Sequence, residues 1–437
     1  MSEILSALIA ARSARVAVMG LGYAGLPLAE VFVRAGFPVL GFDIDTARID
    51  QLRAGQSYLG PIPDARIADL LATGRFEPSA DPARLNDADA FILCVPTPLS
   101  EYKEPNLSAV AGAALMVARH LRLGRLVVLA SSTYPGTTRD VVRPMLEVDG
   151  LVCGRDFFLA YSPERADPGN PDLAPAQIPR VVGGMDEVSG RLACALFTAA
   201  FERVVPVSNA ETAEASKILE NTYRAINIAL VNEMKMLYQR LGIDVWEVIE
   251  AAQTKPFGFQ AFYPGPGVGG PGLPIDPFYL TWWVRKHGLS ARLVELASEI
   301  NAAQPQHIVT RLGIALAARS KEIKGSRILL LGMAYKRDMD DARASPGLEL
   351  AILLEKKEAE VGYHDPHVTR IADARLGEEL ECEPLTEELL RSVDAVVIVT
   401  DHRAYDWNWI AAHAPLLIDT RNATRHVTGE RGHIVKA

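Results

Sequence analysis

The chain has 437 residues, 49% apolar and 23% charged, with a formal net charge of −9 and a pI near 5.6. That length predicts two to three domains with cores that need neither disulfides nor a structural metal, and the acidic balance argues against nucleic acid as a partner. No uncharged apolar stretch reaches the ~18 residues of a spanning helix, and the start, Met1 to Ser6, lacks the pattern of a secretory leader, so a cytoplasmic protein with no membrane partner is expected. The four cysteines (Cys94, Cys153, Cys194, Cys382) are scattered, with no paired spacing, and read as reduced thiols rather than a disulfide frame or zinc site.

Residues 15–20 form a short apolar run that leads into Gly20-Leu-Gly22-Tyr23-Ala24-Gly25, followed by a helical pattern from Leu26 to Gly36. A second apolar run, 38–42, ends in Asp43. Strand, glycine-rich turn, helix, strand and acid in this register predict a dinucleotide site. Gly20 allows the tight turn, Gly22 lets backbone approach a pyrophosphate, and Gly25 lets the helix pack closely on the strand. Asp43, 18 residues after Gly25, stands where an acid meets the ribose hydroxyls and repels a 2′-phosphate, which favours NAD over NADP. Further strands are predicted at 88–96, 125–132 and 157–162, each running into a polar loop; in parallel sheets ligands bind at that edge. Cys94 reads as a core residue.

Ser208 to Glu211 fits a capping box, and a periodic pattern then continues from Ala210 to Leu241 and stops at Gly242. About 32 residues at ~1.5 Å each make a helix roughly 48 Å long, long enough to bridge domains or build a subunit interface. Its apolar stripe (Leu219, Tyr223, Ile226, Leu230, Leu237) reads mostly as core. Lys217 and Asn221, four apart, share a face, and Glu214 is placed for an ion pair with Lys217. Residues 264–274 hold five glycines and four prolines, which excludes regular structure but suits backbone that lies close to a ligand. The final segment repeats the strand–helix alternation, with strands expected at 326–332, 360–365, 393–400 and 416–421 and a helix from Ser345-Pro346. It has no second glycine fingerprint. His364 and His367 read as a strand-end turn, and no metal site is expected. No nucleophile elbow supports a serine hydrolase.

These motifs resemble those of the UDP-glucose/GDP-mannose dehydrogenase family, and within it the UDP-N-acetylhexosamine (GlcNAc, GalNAc or ManNAc) 6-dehydrogenases. The matching pieces are GLGYAGLPLA at 20–29, FDID at 42–45, CVPTPL at 94–99, STYPGTTRD at 132–140 and SPERADPGN at 162–170. They continue with EASKILENTYRAINIALVNEM at 214–234, FYPGPGVGG at 262–270, PIDPFYL at 274–280 and GMAYKRDMDDARASP at 332–346. The resemblance implies an α/β fold of two Rossmann-like parallel-sheet domains, 1–205 and 316–437, joined by a helical middle domain, 206–315, with the long central helix. The first would bind NAD, the middle would form a homodimer or higher homo-oligomer, and the last would bind a UDP-sugar. Carried over residue by residue, Gly20, Gly22, Tyr23, Ala24, Gly25, Asp43, Arg48, Thr97, Ser131, Thr133 and Arg343 would contact the cofactor. Glu164, Lys217, Asn221, Tyr263, Gly265, Gly269, Tyr335 and Lys336 would hold the nucleotide sugar. Lys217, Asn221, Asp276, Glu164 and Thr133 would serve the chemistry: Lys217 and Asp276 relaying a hydroxyl proton through water, Asn221 and Lys217 steadying the developing alkoxide.

One departure stands out. Where the family carries glycine-glycine-histidine-cysteine, this chain has Gly269-Gly270-Pro271-Gly272. The family cysteine captures the aldehyde, so that a second hydride can leave and a thioester can hydrolyse to the uronic acid. Glycine offers no nucleophile. The expected function is therefore an NAD-dependent nucleotide-sugar oxidoreductase, acting on a UDP-hexose or UDP-N-acetylhexosamine without a thioester step. Two alternatives stay open: an epimerase that retains NAD and returns the hydride, and a non-catalytic nucleotide-sugar-binding homologue.

Overall fold

A computed structural model describes residues 1–148, 150–167 and 173–437. Pro168, Gly169 and Asn170 of the SPERADPGN motif lie outside the described residues. The chain forms two compact units, residues 1–220 with 278–290, and residues 221–277 with 291–437.

The first unit is built on an eight-stranded sheet: β1 (Val16–Met19), β2 (Val39–Phe42), β3 (Phe76–Ser79), β4 (Ala90–Leu93), β5 (Leu126–Leu129), β6 (Phe158–Tyr161), β7 (Arg180–Gly184) and β8 (Val204–Val207). Their spatial order is β3-β2-β1-β4-β5-β6-β7-β8. β1 pairs in parallel with β2 on one side and β4 on the other, Val16 opposite Val39 and Ala90. The order reverses at β1, which puts the Gly20 turn at a switch point, where a crevice opens outside the strand ends. Every residue of β1, β4, β5 and β6 is buried, as expected of strands with layers on both faces. One pair departs from the expected all-parallel sheet, since β6 and β7 run antiparallel. β3, β7 and β8 were not expected from the sequence. β3 and β8 are edge strands that tolerate Pro78 and Pro206, while β7 carries a buried arginine and two glycines and so lacks an apolar run.

In the second unit, five parallel strands, β9 (Arg327–Leu331), β10 (Glu360–His364), β13 (Ala395–Ile398), β14 (Leu417–Asp419) and β15 (Ile434–Lys436), pair in the order β10-β9-β13-β14-β15. A two-stranded antiparallel ribbon, β11 (Arg370–Ile371) and β12 (Leu380–Glu381), is inserted after β10. The helix Pro346–Glu355 starts with the Ser345 side chain accepting the Gly347 amide, as its proline at the first turn implies. Helices Val245–Ala252, Arg292–Ala302 and Gln304–Ala317 make up the helical part.

The long helix is one element, Ala210–Leu241, 32 residues. Its cap is Asn209 rather than Ser208. The Asn209 Oδ1 accepts the Thr212 amide at 2.8 Å, while the Ser208 hydroxyl meets only the Thr212 side chain. The stripe read as core is largely solvent-facing. Leu219, Tyr223, Leu230 and Leu237 are 47–68% exposed, and the buried face is carried by Ala213, Glu214, Ile218, Ala225, Ala229, Asn232 and Lys235. Small and polar residues occupy the inner face because other helices and loops approach the backbone there.

Candidate active site

In the first unit the glycines of the first turn divide by what a side chain would meet. Gly20 has φ +91°, and a Cβ there would lie 2.6 Å from the Cys94 carbonyl oxygen. At Gly25 a Cβ would lie 1.8 Å from the Gly20 carbonyl oxygen. Gly22 meets nothing within 4 Å: its glycine is not demanded by packing, and it leaves an open face where phosphate oxygens can reach backbone. Tyr23 and Ala24, both half-buried, complete the turn.

Asp43 is buried, and its carboxylate braces the loop. Oδ2 accepts the Leu21 amide at 2.8 Å and Oδ1 accepts the Asp45 amide. Arg48 lies 3.9 Å from Asp43 and packs over Tyr58, whose hydroxyl donates to the Leu21 carbonyl. Tyr58, not foreseen, thus ties Arg48 to the glycine turn. Ser131 donates to the Val95 carbonyl, joining the ends of β4 and β5, and Thr97 is half-buried in the loop after β4. Thr133 is fully buried, and among the described residues its Oγ1 has no partner. A buried hydroxyl left unsatisfied is costly, so a ligand that completes it is favoured. The open Gly22, the acid at the end of β2 and this orphaned hydroxyl together fit a dinucleotide.

Glu164 is clamped. Its Oε2 accepts from Arg180 at 2.8 Å, and its Oε1 accepts the amides of Arg165 and Ala166. Arg180 is itself 1% exposed and sandwiched against Phe197 and Phe201. This suits Glu164 to accept hydrogen bonds as a fixed carboxylate. Arg180 carried no signal in the sequence, because its partner is 16 residues away along the chain.

Glu214 does not serve as the surface partner of Lys217 that its spacing allowed. It is fully buried, and its carboxylate accepts the amides of Gly136 and Thr138 and the Thr138 hydroxyl. Burial outweighs those bonds and pushes its pKa up to about 7. One turn later Lys217 is half-buried, on the same face as Asn221.

In the second unit the glycine–proline loop is seated by its own glycines. A Cβ at Gly265 would strike the Arg421 guanidinium at 2.5 Å, at Gly269 the Tyr335 side chain at 2.7 Å, and at Gly270 the Tyr335 ring at 2.6 Å. The Gly265 amide donates to Asn232 on the long helix, Asn232 donates to Asn301, and Asn301 donates to the Ala225 carbonyl. The Gly270 amide donates to the Arg343 carbonyl. Gly265, Gly269 and Tyr335 are thus brought together. Tyr263 stacks on Trp246, ring centroids 5.7 Å apart, and leaves its other face exposed. The Arg343 side chain pairs with buried Asp341. Lys336 lies half-buried in a loop anchored by Asp365, which accepts the Met333 and Ala334 amides and meets His402 Nε2 at 3.1 Å.

Asp276 is 1% exposed at the start of the helix Asp276–Lys286, and Asn221 Nδ2 donates to its carboxylate. Position 272 faces this pair. A Cβ built on Gly272 would lie 3.2 Å from Asn221 Nδ2 and meet nothing else within 4 Å. The backbone there is outside the left-handed region. Gly272 is therefore unlike Gly265, Gly269 and Gly270, because neither conformation nor packing demands a glycine.

All four thiols are shifted away from reactivity. Burial pushes Cys94 and Cys153 up to about 12 and raises Cys194 and Cys382. The grouping of Asp338, His367 and His402 is also occupied: His402 Nδ1 accepts the Asp338 amide and Nε2 faces Asp365, so neither nitrogen offers a ligand lone pair. His364 bonds the Glu383 carbonyl, as a strand-end residue does.

A dinucleotide-binding sheet in one unit and, in the other, a second parallel sheet with a glycine–proline loop seated on Tyr335 and Arg421 are the features of a nicotinamide-dependent dehydrogenase with a separate nucleotide-binding unit. Three family models match successive parts of the chain: the UDP-glucose/GDP-mannose dehydrogenase family NAD binding domain at 14–201, its central domain at 211–303 and its UDP binding domain at 329–426. The chain belongs to the UDP-glucose/GDP-mannose dehydrogenase family; its cofactor is NAD. It is 34% identical to UDP-N-acetyl-D-mannosamine dehydrogenase of Pyrococcus horikoshii over 93% of this chain and 95% of that protein. It is 34% identical to UDP-N-acetyl-D-glucosamine 6-dehydrogenase of Pseudomonas aeruginosa over 81% and 83%. The solved structure of the Pyrococcus horikoshii UDP-D-ManNAc dehydrogenase aligns with a TM-score of 0.87 at 33% identity, covering 97% of this chain and 98% of that one. Among the described residues no helix is long and apolar enough to cross a membrane.

Proposed function

We propose that this chain oxidises a UDP-N-acetylhexosamine at a sugar alcohol carbon and stops at the carbonyl. The observation that carries this reading is Gly272, open and without sulfur beside the Asn221–Asp276 pair. The alcohol C–H and O–H bonds break and a C=O bond forms. NAD supplies the hydride acceptor, and the proton passes to a base. Asp276, held by Asn221, is that base through a water, and Lys217 on the same helical face as Asn221 steadies the oxygen as charge develops. The Asn232–Gly265 bond and the Tyr335 ring under Gly269 and Gly270 hold the loop against the nucleotide sugar. Gly20, Gly22, Gly25, Asp43 and Thr133 hold NAD, while the clamped Glu164 accepts from sugar hydroxyls. The substrate class is that of its relatives, the UDP-N-acetyl-D-mannosamine and UDP-N-acetyl-D-glucosamine dehydrogenases.

The exposed stripe Leu219, Tyr223, Leu230, Leu237 and Leu241 recurs at spacings of four and seven along one helix. That is the pattern of a helix paired with another helix, and it supports a homodimer built on this face.

The deciding experiment incubates the protein with NAD and a panel of UDP-N-acetylhexosamines and UDP-hexoses, counting NADH against product. One NADH per sugar, with a carbonyl product trapped by hydroxylamine, is expected. Two NADH with a uronic acid would refute the arrested oxidation. Isomerised sugar without net NADH would select the epimerase, and a wholly inert panel with tight UDP-sugar binding would select the non-catalytic homologue.

A further inference from the structure

Three loops meet in the second unit at the carboxyl ends of neighbouring strands. The loop after β9 carries Tyr335 and Lys336, the loop after β10 starts at Asp365, and the loop after β13 holds His402. β9 lies between β10 and β13, so the other two loops flank the first. His402 is 0% exposed and Asp365 3%, and the chemistry proposed above uses neither. Asp365 Oδ2 accepts the Met333 and Ala334 amides, and Oδ1 accepts those of His367 and Val368. His402 Nε2 lies 3.1 Å from Oδ2, and its Nδ1 lies 2.9 Å from the Asp338 amide nitrogen.

These contacts leave the ring one state. An amide N–H can only donate, so Nδ1 is the nitrogen with the lone pair, and Nε2 carries the hydrogen that Asp365 accepts. Both ends of segment 333–338 are thereby pinned: Asp365 holds the start and the imidazole holds the end. The end is held against a cost. Asp338 has φ +58°, the left-handed region that a non-glycine residue keeps only when its surroundings hold it there. The Arg403 amide, which donates to Asp338 Oδ1 at 3.0 Å, makes the link to the 402–403 loop reciprocal. We propose that His402 is a positioning residue, which in its neutral form with hydrogen on Nε2 fixes Asp338 and so sets Tyr335 and Lys336 against the nucleotide sugar. That the loop meets the sugar rests on the function proposed above; that the ring fixes the loop does not.

The same pairing makes the loop sensitive to acid. A second proton goes to Nδ1 and turns the acceptor into a donor aimed at another donor. The charged groups that face the ring are Asp365 and Asp338, whose Oδ1 lies 3.9 Å from Nδ1. Arg403 Nε lies 3.3 Å from Asp338 Oδ2, and the His367 and Tyr405 rings pack on the imidazole with centroids 5.0 and 5.8 Å away. A protonated ring therefore exchanges the Asp338 amide for the Asp338 carboxylate, and the end of the segment is released. Binding of the nucleotide sugar should weaken as the ring takes its proton, while NAD binding should not.

The test uses the full chain as wild type, His402→Asn and His402→Gln. Asn can place an oxygen near the Nδ1 position and keep the Asp338 bond. Gln can reach Asp365 as the Nε2 hydrogen does, but leaves the Asp338 amide without its acceptor. Both lose the packing of the ring and should melt below the wild type by similar amounts. UDP-N-acetylglucosamine is titrated calorimetrically at about pH 7.5 and about pH 5.5, either side of the ordinary imidazole range. At the higher pH, His402→Asn should bind within about twofold of the wild type and His402→Gln about tenfold more weakly, with equal NAD affinity in all three. At the lower pH the wild type should weaken and His402→Asn should not. Equal weakening in the two variants would reduce the ring to packing and overturn the proposal, as would a fall at low pH that His402→Asn shares. Two measurements need no ligand. Nitrogen-15 NMR of histidine-labelled wild type should show the neutral ring protonated on Nε2, and hydrogen exchange across 333–338 should be faster in His402→Gln than in His402→Asn. A neutral ring protonated on Nδ1, or equal exchange in the two variants, overturns the proposal whatever the sugar does. If the nucleotide sugar binds none of the three forms while exchange differs as stated, the functional reading fails and the hold of His402 on the loop stands.

Discussion

Replacing Gly272 by cysteine returns a thiol to the place where the structure has room for one. The backbone at 272 lies outside the left-handed region, so a side chain adds no conformational strain. Losing a glycine stiffens the unfolded chain and contributes about 0.4–1 kcal/mol in favour of folding. Against this, the new Cβ sits 3.2 Å from Asn221 Nδ2 and requires that amide to give by a few tenths of an ångström while keeping its bond to Asp276. The two effects are of similar size, and Gly272→Cys should fold with stability within about 1 kcal/mol of the wild type. Chemically the change is large. A thiolate can attack the carbonyl product, the adduct can lose a second hydride, and the resulting thioester can hydrolyse. The assay counts NADH per nucleotide sugar and identifies the product by mass: the wild type should give one equivalent and a carbonyl, Gly272→Cys two and an acid, and Gly272→Ser one. Iodoacetamide should block only the second equivalent. A correctly folded Gly272→Cys that still releases one equivalent would refute the reasoning, because sulfur would then not be what the site lacks.

Three further outcomes are expected. Gly270→Ala meets both a φ of +88° and the Tyr335 ring; it should lose UDP-sugar affinity about five- to a hundredfold, a distortion worth ~1–3 kcal/mol, with NAD affinity unchanged by titration. Asp276→Asn should lower kcat about 10²–10⁴-fold while UDP-sugar still binds, and unchanged turnover would remove Asp276 from the proton path. Glu214 keeps its proton to about pH 7 in the folded state but releases it near 4.5 when unfolded. The native state therefore binds more protons across that window, and stability should fall as pH rises from 4.5 to 7, by about 3 kcal/mol in the limit. Glu214→Gln should flatten that slope in denaturant titrations, and an unchanged slope would show that another group sets it.

Much of this protein was legible without coordinates because it is local. The Gly20–Gly25 turn, the acid after β2, the Ser345-Pro346 helix start and the limits of the 32-residue helix depend on near neighbours: turn geometry, capping and periodicity act within a few residues. Edge strands β3 and β8, with their prolines, escaped because their pairing partners, not their composition, make them strands. What the site is made of depended on long-range packing. Only the folded chain placed Arg180 on Glu164, turned Glu214 inward to the 136–138 loop, and faced the apolar stripe to solvent with Lys235 on the buried side. The resemblance to the family pointed to Gly272 as the position where its cysteine would stand. The structure added that the glycine in its place is under no steric obligation, because what surrounds a Cβ is set by residues some fifty positions away along the chain.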